Sequence, residues 1–552
     1  MRAWSRRAWG ALGVAASLLG GCGSGSYDDF DAYQAAVHDS RGDEAAAGSA
    51  ADLELPLARG GIEIARVQAN QGVGVLIGAD GEALDPDDRA APLIKGRMTL
   101  VRAFWTLPHD WEPRPIEGRL VLTAPDGTRD VLTHTTWVEH EAMDADLSRS
   151  FFWELSESQT RPGVSFRVEL HEGAAGHEDL PAPSPGVRLP QDGHDAPLGV
   201  RSTELAMKVV VVPFHYDDGA GCVTAPDTSE DTMRRFADAI YMRNPLERVD
   251  LEVHAPIDWD TPLDSFVPLN SYMAGLRFDE GALPETYYYG LIDVCSGGLG
   301  GAGGLANGIP TEPVSEAAAS QRVSSGLSLD PDWSAETFVH EVGHSQGRRH
   351  VACNGEEGGP DPSYPHQGGD VGEWGFGVVD FGLRSPASHK DYMSYCQPVW
   401  VGAWGWNEVY PVIEGLSAWG ATPRSGEAPA PEAEAAGDDA GDDADPYGGS
   451  LLLGAIEPSG REHWLTVPGL LPVTQSGGST RLELRRDDQL LAEVPAHVQP
   501  MQDGAGILVM AELPPQWSAV TSVTRVDGQV RAVVARPSIV EHHQARAIRR
   551  SR

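Results

Sequence analysis

Positive charge is scarce in this sequence. The 552 residues include 41 Lys and Arg against 81 Asp and Glu, which gives a formal net charge of -40 and a pI near 4.7. A surface this acidic repels phosphate groups, so nucleic acid is excluded as an expected partner. Long apolar runs are also missing beyond the N-terminal segment, so the rest of the sequence predicts no transmembrane helix.

Cysteine is rare as well, because the chain has five and no two of them form a Cys-x-x-Cys pair. A zinc-thiolate site is the rival interpretation, and the missing pair argues against it. With Cys22 set aside, four cysteines remain, an even number that suits disulfides in an oxidising compartment. Cys353 lies three residues after His350, and Cys396 lies three residues after Met393. Both neighbours are candidate residues of one metal site, which favours a bridge between Cys353 and Cys396 and leaves Cys222 with Cys295. Four cysteines allow three pairings, and the sequence alone does not choose among them.

Two familiar ligand motifs are incomplete. The glycine-rich stretch 297–304 lacks the Lys-Ser/Thr ending of a phosphate-binding loop, which argues against nucleotide binding there. Residues 354–390 are rich in Gly, Pro and Asp without an EF-hand pattern. A structural calcium ion is one hypothesis for them, and solvated carboxylates are the alternative. Trp400, Trp404 and Trp406 are interpreted as core packing, with substrate stacking as the alternative.

The N-terminus has the features of an export signal. Three arginines within the first seven residues form a positive segment, and residues 8–19 are apolar but too short to span a bilayer. The Leu-Gly-Gly-Cys sequence that ends at Cys22 resembles a bacterial lipobox. The resemblance implies cleavage before Cys22, lipidation of that cysteine and membrane contact through the lipid anchor only. The absence of aspartate directly after Cys22 favours the outer membrane or cell surface, and an ordinary secreted protein is the alternative.

Composition and apolar periodicity divide the chain into several parts. Period-two patterns separated by turns predict small β-sandwich-like domains on both sides of a central domain. The central domain has a strand–helix–strand order, so the predicted fold class is multidomain α+β. The predicted parts are a signal peptide (1–21), a flexible tether (22–58), an N-terminal β-sandwich-like domain (59–180), a linker (181–200), the central domain (201–416), an acidic disordered linker (417–449), a C-terminal all-β domain (450–540) and a basic tail (541–552).

The most specific signal is the stretch that begins at His340 and reads H-E-x-x-H-x-x-G-x-x-H. His340 and His344 are four residues apart, so on a helix they share one face and can bind the same metal ion. A continuing helix would carry His350 about 15 Å along the axis from His340. Gly347 can adopt a left-handed conformation, end the helix and let His350 return to the metal. Glu341 lies beside the first ligand, where a general base is needed.

This stretch resembles the metzincin zinc endopeptidases, whose second mark is a methionine turn beneath the metal. The sequence Asp-Tyr-Met-Ser-Tyr-Cys supplies Met393 as the turn methionine and Tyr395 two residues later. By resemblance, the three histidines bind one catalytic Zn²⁺, Tyr395 helps to stabilise the oxyanion, and residues 305–309 pair with an extended substrate. From the residues themselves, Ser334 is the predicted N-cap of the active-site helix.

The resemblance implies a zinc metalloendopeptidase that cleaves extracellular protein or glycoprotein, with Glu341 assisting the attack of water held by the zinc. The Trp- and Tyr-rich segment after the turn is similar to that of the mucin-cleaving zinc proteases. Two alternatives stay open, namely an inactive, zinc-stabilised surface binding protein or adhesin, and a zinc hydrolase acting on another bond. The intact Glu341 argues against the first, since an inactive protein gains nothing from this carboxylate. The oligomeric state is not predicted.

Overall fold

The computed structural model shows a mixed fold in which strands outnumber helices. It describes residues 55–295, 299, 301–355, 358–421, 449–468, 471, 480–487, 489–501, 505–528 and 530–541. The predicted signal peptide, Cys22, nearly all of the tether and of the acidic linker, and the basic tail beyond residue 541 lie outside these ranges. In the described residues, an α+β domain lies between two all-β parts, so the coarse α+β organisation is confirmed.

The N-terminal part consists of two antiparallel sheets. One has the order β3-β2-β1-β4-β7 and the other β10-β8-β5-β6, with β9 beside β8. Side chains alternate between buried and partly exposed along β5, as expected for a sheet with one face on a core. The strands are β1 (Glu63–Asn70), β2 (Gly74–Ala79), β3 (Glu82–Ala83), β4 (Thr99–Thr106), β5 (Arg114–Thr123), β6 (Arg129–Val138), β7 (Phe151–Leu155), β8 (Ser165–Glu172), β9 (Arg188–Leu189) and β10 (Ala196–Pro197).

The segment predicted as a linker, residues 181–200, is part of this sandwich. Both β9 and β10 lie in it, and both pair with β8. Proline and glycine suggested a flexible connection, but short strands at a sheet edge tolerate such residues. The N-terminal sandwich therefore extends to Pro197.

The central part is built on one seven-stranded sheet with the order β12-β11-β15-β17-β16, in which β13 and β14 also pair with β11. The strands β13, β14 and β15 run parallel to β11, and β17 runs parallel to β15, whereas β12 is antiparallel to β11 and β16 to β17. All six residues of β15 are buried, because helices cover both faces of the sheet. The strands are β11 (Ala206–Asp217), β12 (Val223–Thr224), β13 (Arg248–Val253), β14 (Ile257–Trp259), β15 (Tyr287–Ile292), β16 (Gly304–Ala306) and β17 (Val323–Leu327).

Four α-helices accompany this sheet: α1 (Glu230–Arg243), α2 (Val267–Asp279), α3 (Pro331–Ser345) and α4 (Ala403–Ala421). The side chain of Ser229 caps α1 by accepting from the backbone N–H of Thr232. The predicted cap of α3 is wrong. Asp330 caps this helix by accepting from the backbone N–H groups of Asp332 and Trp333, and Pro331 occupies the first helical position. Ser334 lies inside the helix, where its hydroxyl accepts from the N–H of Leu329.

Four short strands follow α3 and form two small two-stranded sheets: β18 (Gly375–Phe376) with β19 (Leu383–Arg384), and β20 (Lys390–Asp391) with β21 (Val399–Trp400). The C-terminal part again has two sheets, with the orders β26-β27-β22-β23-β30 and β25-β24-β28-β29. Its strands are β22 (Ser450–Ile456), β23 (Glu462–Pro468), β24 (Thr480–Arg486), β25 (Gln489–Pro495), β26 (His497–Pro500), β27 (Ile507–Glu512), β28 (Ser522–Asp527), β29 (Val530–Ala535) and β30 (Ile539–Glu541).

The N-terminal sandwich is fixed to the central domain by a buried arginine. The guanidinium of Arg97 donates to the carbonyl oxygens of Tyr241 (2.6 Å), Leu246 (2.7 Å) and its own domain's Gln71 (2.8 Å). Arg97 is fully buried, which lowers the pKa of its guanidinium to about 10, so it remains charged at neutral pH. It therefore joins the carboxyl end of α1 to the sandwich through charge-assisted hydrogen bonds.

Two of the tryptophans after β20 lie at the same junction. The indole N–H of Trp400 donates to the carbonyl of Gly72 (2.8 Å), and that of Trp406 to the carbonyl of Pro92 (3.3 Å). Both side chains are about 1% exposed, so they are core residues and not stacking platforms. Trp404 is half-buried and packs on Tyr364. The interpretation as core packing is confirmed for Trp400 and Trp406.

Candidate metal centre

Three histidines converge on one point at the end of α3. His340 and His344 project from consecutive turns of the helix, and their Nε2 atoms are 3.1 Å apart. Gly347 has φ of +91°, and the chain turns back there, so that the Nε2 of His350 lies 3.2 Å from the Nε2 of His344. A Cβ at position 347 would also approach the carbonyl oxygen of Pro310 to 3.0 Å, so glycine is required for two reasons. The structure thus brings together the three predicted ligands.

The hydrogen bonds of the other ring nitrogens fix the tautomer of each histidine. The Nδ1 atoms of His340, His344 and His350 lie 2.7–2.8 Å from the carbonyl oxygens of Tyr392, Arg348 and Gly358 respectively. A carbonyl only accepts, so each Nδ1 carries a proton, and in the neutral form of each ring the lone pair is on Nε2. Burial, supported by the neighbouring histidines, lowers the pKa of His340 to about 3 and that of His344 well below its usual value.

Three Nε2 atoms at this spacing fit a cation. Lone pairs that converge this closely repel each other, and a cation between them removes the repulsion. Three nitrogens about 2.05 Å from a tetrahedral ion would be about 3.3 Å apart, close to the two distances observed. Within the described residues, these three histidines form the one group in which at least three metal-ligating side chains meet. Their ligand atoms all lie within 4.8 Å of one another. The group can hold a metal ion, and imidazole suits zinc, copper, iron and nickel.

The calcium hypothesis gains no support from the structure. Among residues 354–355 and 358–390, no second cluster of metal-ligating side chains is found. His366 and His389 also lie outside the histidine group.

Glu341 lies next to the histidines in a space that a glycine leaves open. The residue is 6% exposed. Its side chain lines part of a cleft that is also lined by His340. A Cβ at Gly304 on β16 would be 2.7 Å from Cγ of Glu341 and 2.8 Å from its Oε1. The strand β16 can therefore lie against the carboxylate only because position 304 has no side chain.

The segment 391–396 forms a turn beneath α3. Its Met393 is fully buried, and its sulfur would lie 2.5 Å from a Cβ at Gly343, so the turn packs directly on the helix between the two histidines. The carboxylate of Asp391 accepts from the N–H of Met393 (2.9 Å) and closes the turn. The same turn presents the carbonyl of Tyr392 to His340, so it supports the helix and orients one ligand.

Tyr395 follows the turn and faces the histidines from the cleft side. Its hydroxyl lies 3.2 Å from the Nε2 of His350, and its ring centroid lies 5.8 Å from that of His340. The residue is 40% exposed, so its hydroxyl can also meet a molecule in the cleft.

The described residues form two disulfides, one of which lies beside this site. Cys353 with Cys396 joins the segment after His350 to the segment after Tyr395. Cys222 joins Cys295, which lies just beyond the end of β15. These are the pairs that the sequence favoured, and they indicate an oxidising compartment.

The sequence did not predict the buried ion pair between the segment after α3 and the methionine turn. Arg348 and Asp391 are nearly inaccessible to solvent and are 3.1 Å apart. The guanidinium also lies over the ring of Trp404, and the carbonyl of Arg348 orients His344. One residue thus connects a ligand, the turn and the core. The only signal was an arginine at an unconstrained position of the motif, which by itself predicts no contact.

Comparison of the chain with known protein families and with curated proteins finds no match in either. Within the described residues, no helix is both long enough and apolar enough to cross a membrane.

Proposed function

We propose that this protein is a zinc-dependent metalloendopeptidase of the metzincin type. The observation that carries the proposal is the convergence of three imidazole Nε2 atoms beside a buried carboxylate in an accessible cleft. Three protein ligands leave a coordination position free, which is typical of catalytic zinc sites and not of structural ones. The antiparallel edge strand β16 and the methionine turn agree with the resemblance.

Each residue of the site has a role in this proposal. His340, His344 and His350 hold the ion, and their carbonyl partners keep them in the ligating tautomer. Zinc, when bound, supplies a Lewis acid that makes water more acidic and polarises a carbonyl group. Glu341 accepts the proton of the attacking water and delivers it to the leaving amine. The Tyr395 hydroxyl donates a hydrogen bond to the oxyanion that develops on the substrate carbonyl.

The same features argue against the two alternatives. A binding protein that needs zinc only for its fold gains nothing from a buried carboxylate that faces the cleft. A hydrolase for small amides or esters gains nothing from β16, the last strand of the described central sheet, which lines the cleft and can pair with an extended peptide.

The protein is proposed to work outside the cytoplasm on extracellular protein or glycoprotein. The two disulfides support export, and the lipobox-like sequence supports attachment to the outer membrane or cell surface through a lipid on Cys22. Replacing Cys22 by serine is expected to release the protein from membranes, as seen by fractionation. Equal membrane association of both forms would contradict lipid anchoring.

Glu341→Gln tests the proposed function. The amide is isosteric but is not a base, so we expect cleavage of casein to fall at least about 1000-fold while the metal content per chain stays unchanged. Asp332→Asn is the matched control, since Asp332 is an exposed acid on the same helix that pairs with Arg235. Casein cleavage by Glu341→Gln at the wild-type rate would refute the proposal.

A further inference from the structure

The cleft at the histidines has a wall that belongs to the C-terminal sandwich. Its floor includes His340, Glu341 and Tyr395. The lining also includes Pro458 and Ser459, which lie in the turn between β22 and β23 and are exposed. A part of the chain that sequence analysis treated as a separate domain therefore shapes the cleft.

The strand β22 attaches this sandwich firmly to the central domain. Leu451 and Leu453 belong to the hydrophobic cluster that includes the buried residues of α2, whereas Leu452 and Ile456 belong to the core of the sandwich. A strand that buries both faces cannot leave the central domain without exposing one of them to water. The C-terminal sandwich is thus held against the cleft by the same strand that leads into the turn.

An ion pair and a hydrogen bond fix the turn at the cleft. The guanidinium of Arg461 makes two bonds of 2.7 and 2.8 Å to the carboxylate of Asp264, which lies just before α2. The carboxylate of Glu457 is nearly buried and accepts from the hydroxyls of Ser265 (3.1 Å) and Ser459 (3.1 Å). The contacts of Asp264 and Ser265 join the two domains directly at the cleft.

The turn itself has a defined backbone. The N–H of Glu457 donates to the carbonyl of Arg461, the N–H of Gly460 donates to the carbonyl of Glu457, and Gly460 has φ of +84°. A surface held in this way offers binding contacts at a low cost in conformational entropy.

We propose that the turn 457–460 is a substrate-contacting wall of the cleft, which favours extended polypeptide over small amides. This inference rests on the proposed function. A short substrate seated at the histidines needs no contact with the turn. A longer chain that crosses the cleft meets Pro458 and Ser459, so the C-terminal sandwich contributes to the binding of long substrates.

Ser459→Trp tests the wall by narrowing the cleft at the turn. We expect the KM for denatured casein to rise about tenfold or more. For a short peptide built around one bond that the wild type cleaves, kcat and KM should stay within twofold of the wild type. Gln489→Trp is the matched control, because Gln489 is an exposed residue of β25 in the same sandwich and does not line the cleft. A turn with a purely structural role would change the melting temperature and leave the KM for casein unaffected.

Photo-crosslinking tests the contact directly and does not depend on how the tryptophan is tolerated. Benzoylphenylalanine is placed at position 459 or 489 in the full chain carrying Glu341→Gln, and the chain is irradiated with a long peptide that the wild type cleaves. We expect an adduct from position 459 and none from position 489.

The outcomes separate the two proposals. If the wild type shows chelator-sensitive cleavage, but position 459 forms no adduct and Ser459→Trp leaves the KM for casein unchanged, the wall is refuted and the peptidase stands. If the wild type cleaves neither casein nor any peptide, the proposed function is refuted, and the proposal that the turn contacts substrate is refuted as well.

Discussion

Gly304→Ala is expected to impair catalysis through a single methyl group. The new Cβ would be 2.7 Å from Cγ of Glu341, 2.8 Å from its Oε1 and 2.9 Å from the backbone oxygen of Ser325. Carbon atoms in contact prefer a separation of about 3.5–4.0 Å, so the new Cβ and its neighbours have to move apart by roughly 1 Å. The backbone of β17 cannot move easily, so the Glu341 side chain moves instead. A displacement of about 1 Å in a catalytic group costs about 100-fold in rate, or about 2.7 kcal/mol of transition-state stabilisation.

The assay for this prediction is a double-mutant cycle on kcat. Gly304→Ala is compared with the wild type, and the same change is repeated in a chain carrying Glu341→Asp, whose shorter side chain leaves room for the methyl group. We expect about 100-fold loss in the first pair and less than about threefold in the second, with unchanged metal content. Equal losses in both pairs, or no loss in the first, would refute a steric contact between Gly304 and the catalytic carboxylate.

Three further predictions concern the surroundings of the site. Tyr395→Phe should lower kcat about 100-fold at constant metal content, because an oxyanion donor is lost; an unchanged kcat would exclude that role. Replacing Cys353 and Cys396 by serine should lower the free energy of unfolding in urea by roughly 4 kcal/mol, and no change would show that the bridge is not stabilising. Burial raises the pKa of Glu373 to about 7, so the folded state favours the protonated form and wild-type stability should fall as the pH rises from about 4.5 through 7. Urea titrations at pH 4.5 and 8 give the change in the free energy of unfolding between the two pH values, and Glu373→Gln should reduce this change by up to about 3 kcal/mol. An equal change in the wild type and the variant would contradict the prediction.

The site was predictable because its geometry is local. A spacing of four residues on one helix sets His340 and His344, and one glycine sets the return of His350, so eleven residues contain most of the information. The bridge between Cys353 and Cys396 could be favoured for the same reason, since both cysteines flank the site.

The junctions between domains were not predictable, because they depend on residues distant in sequence. Nothing near Arg97 in the sequence shows that it caps the end of α1, since the carbonyl oxygens it meets lie well over 100 residues away. The segment 181–200 looked like a linker because its strands are only two residues long and gain stability from β8. The strand β22 is apolar, but only the structure shows that one of its faces meets the central domain.

The start of α3 was predicted wrongly for a different reason. Asp330 and Ser334 are both good capping residues, and the sequence around each is compatible with a helix start. The structure uses Asp330, because Pro331 suits the first helical position and the aspartate accepts from two backbone N–H groups. Competing local signals of this kind are decided by small energy differences.

The most direct test of the central claim is a metal count combined with a cleavage assay on the purified wild-type chain. The account predicts about one zinc per chain by elemental analysis, and casein cleavage that a chelator abolishes and added zinc restores. It also predicts that His344→Ala loses the metal, because His344 occupies the middle of the three ligands. A wild-type chain that binds no metal, or cleaves casein equally well in the presence of chelator, would contradict it.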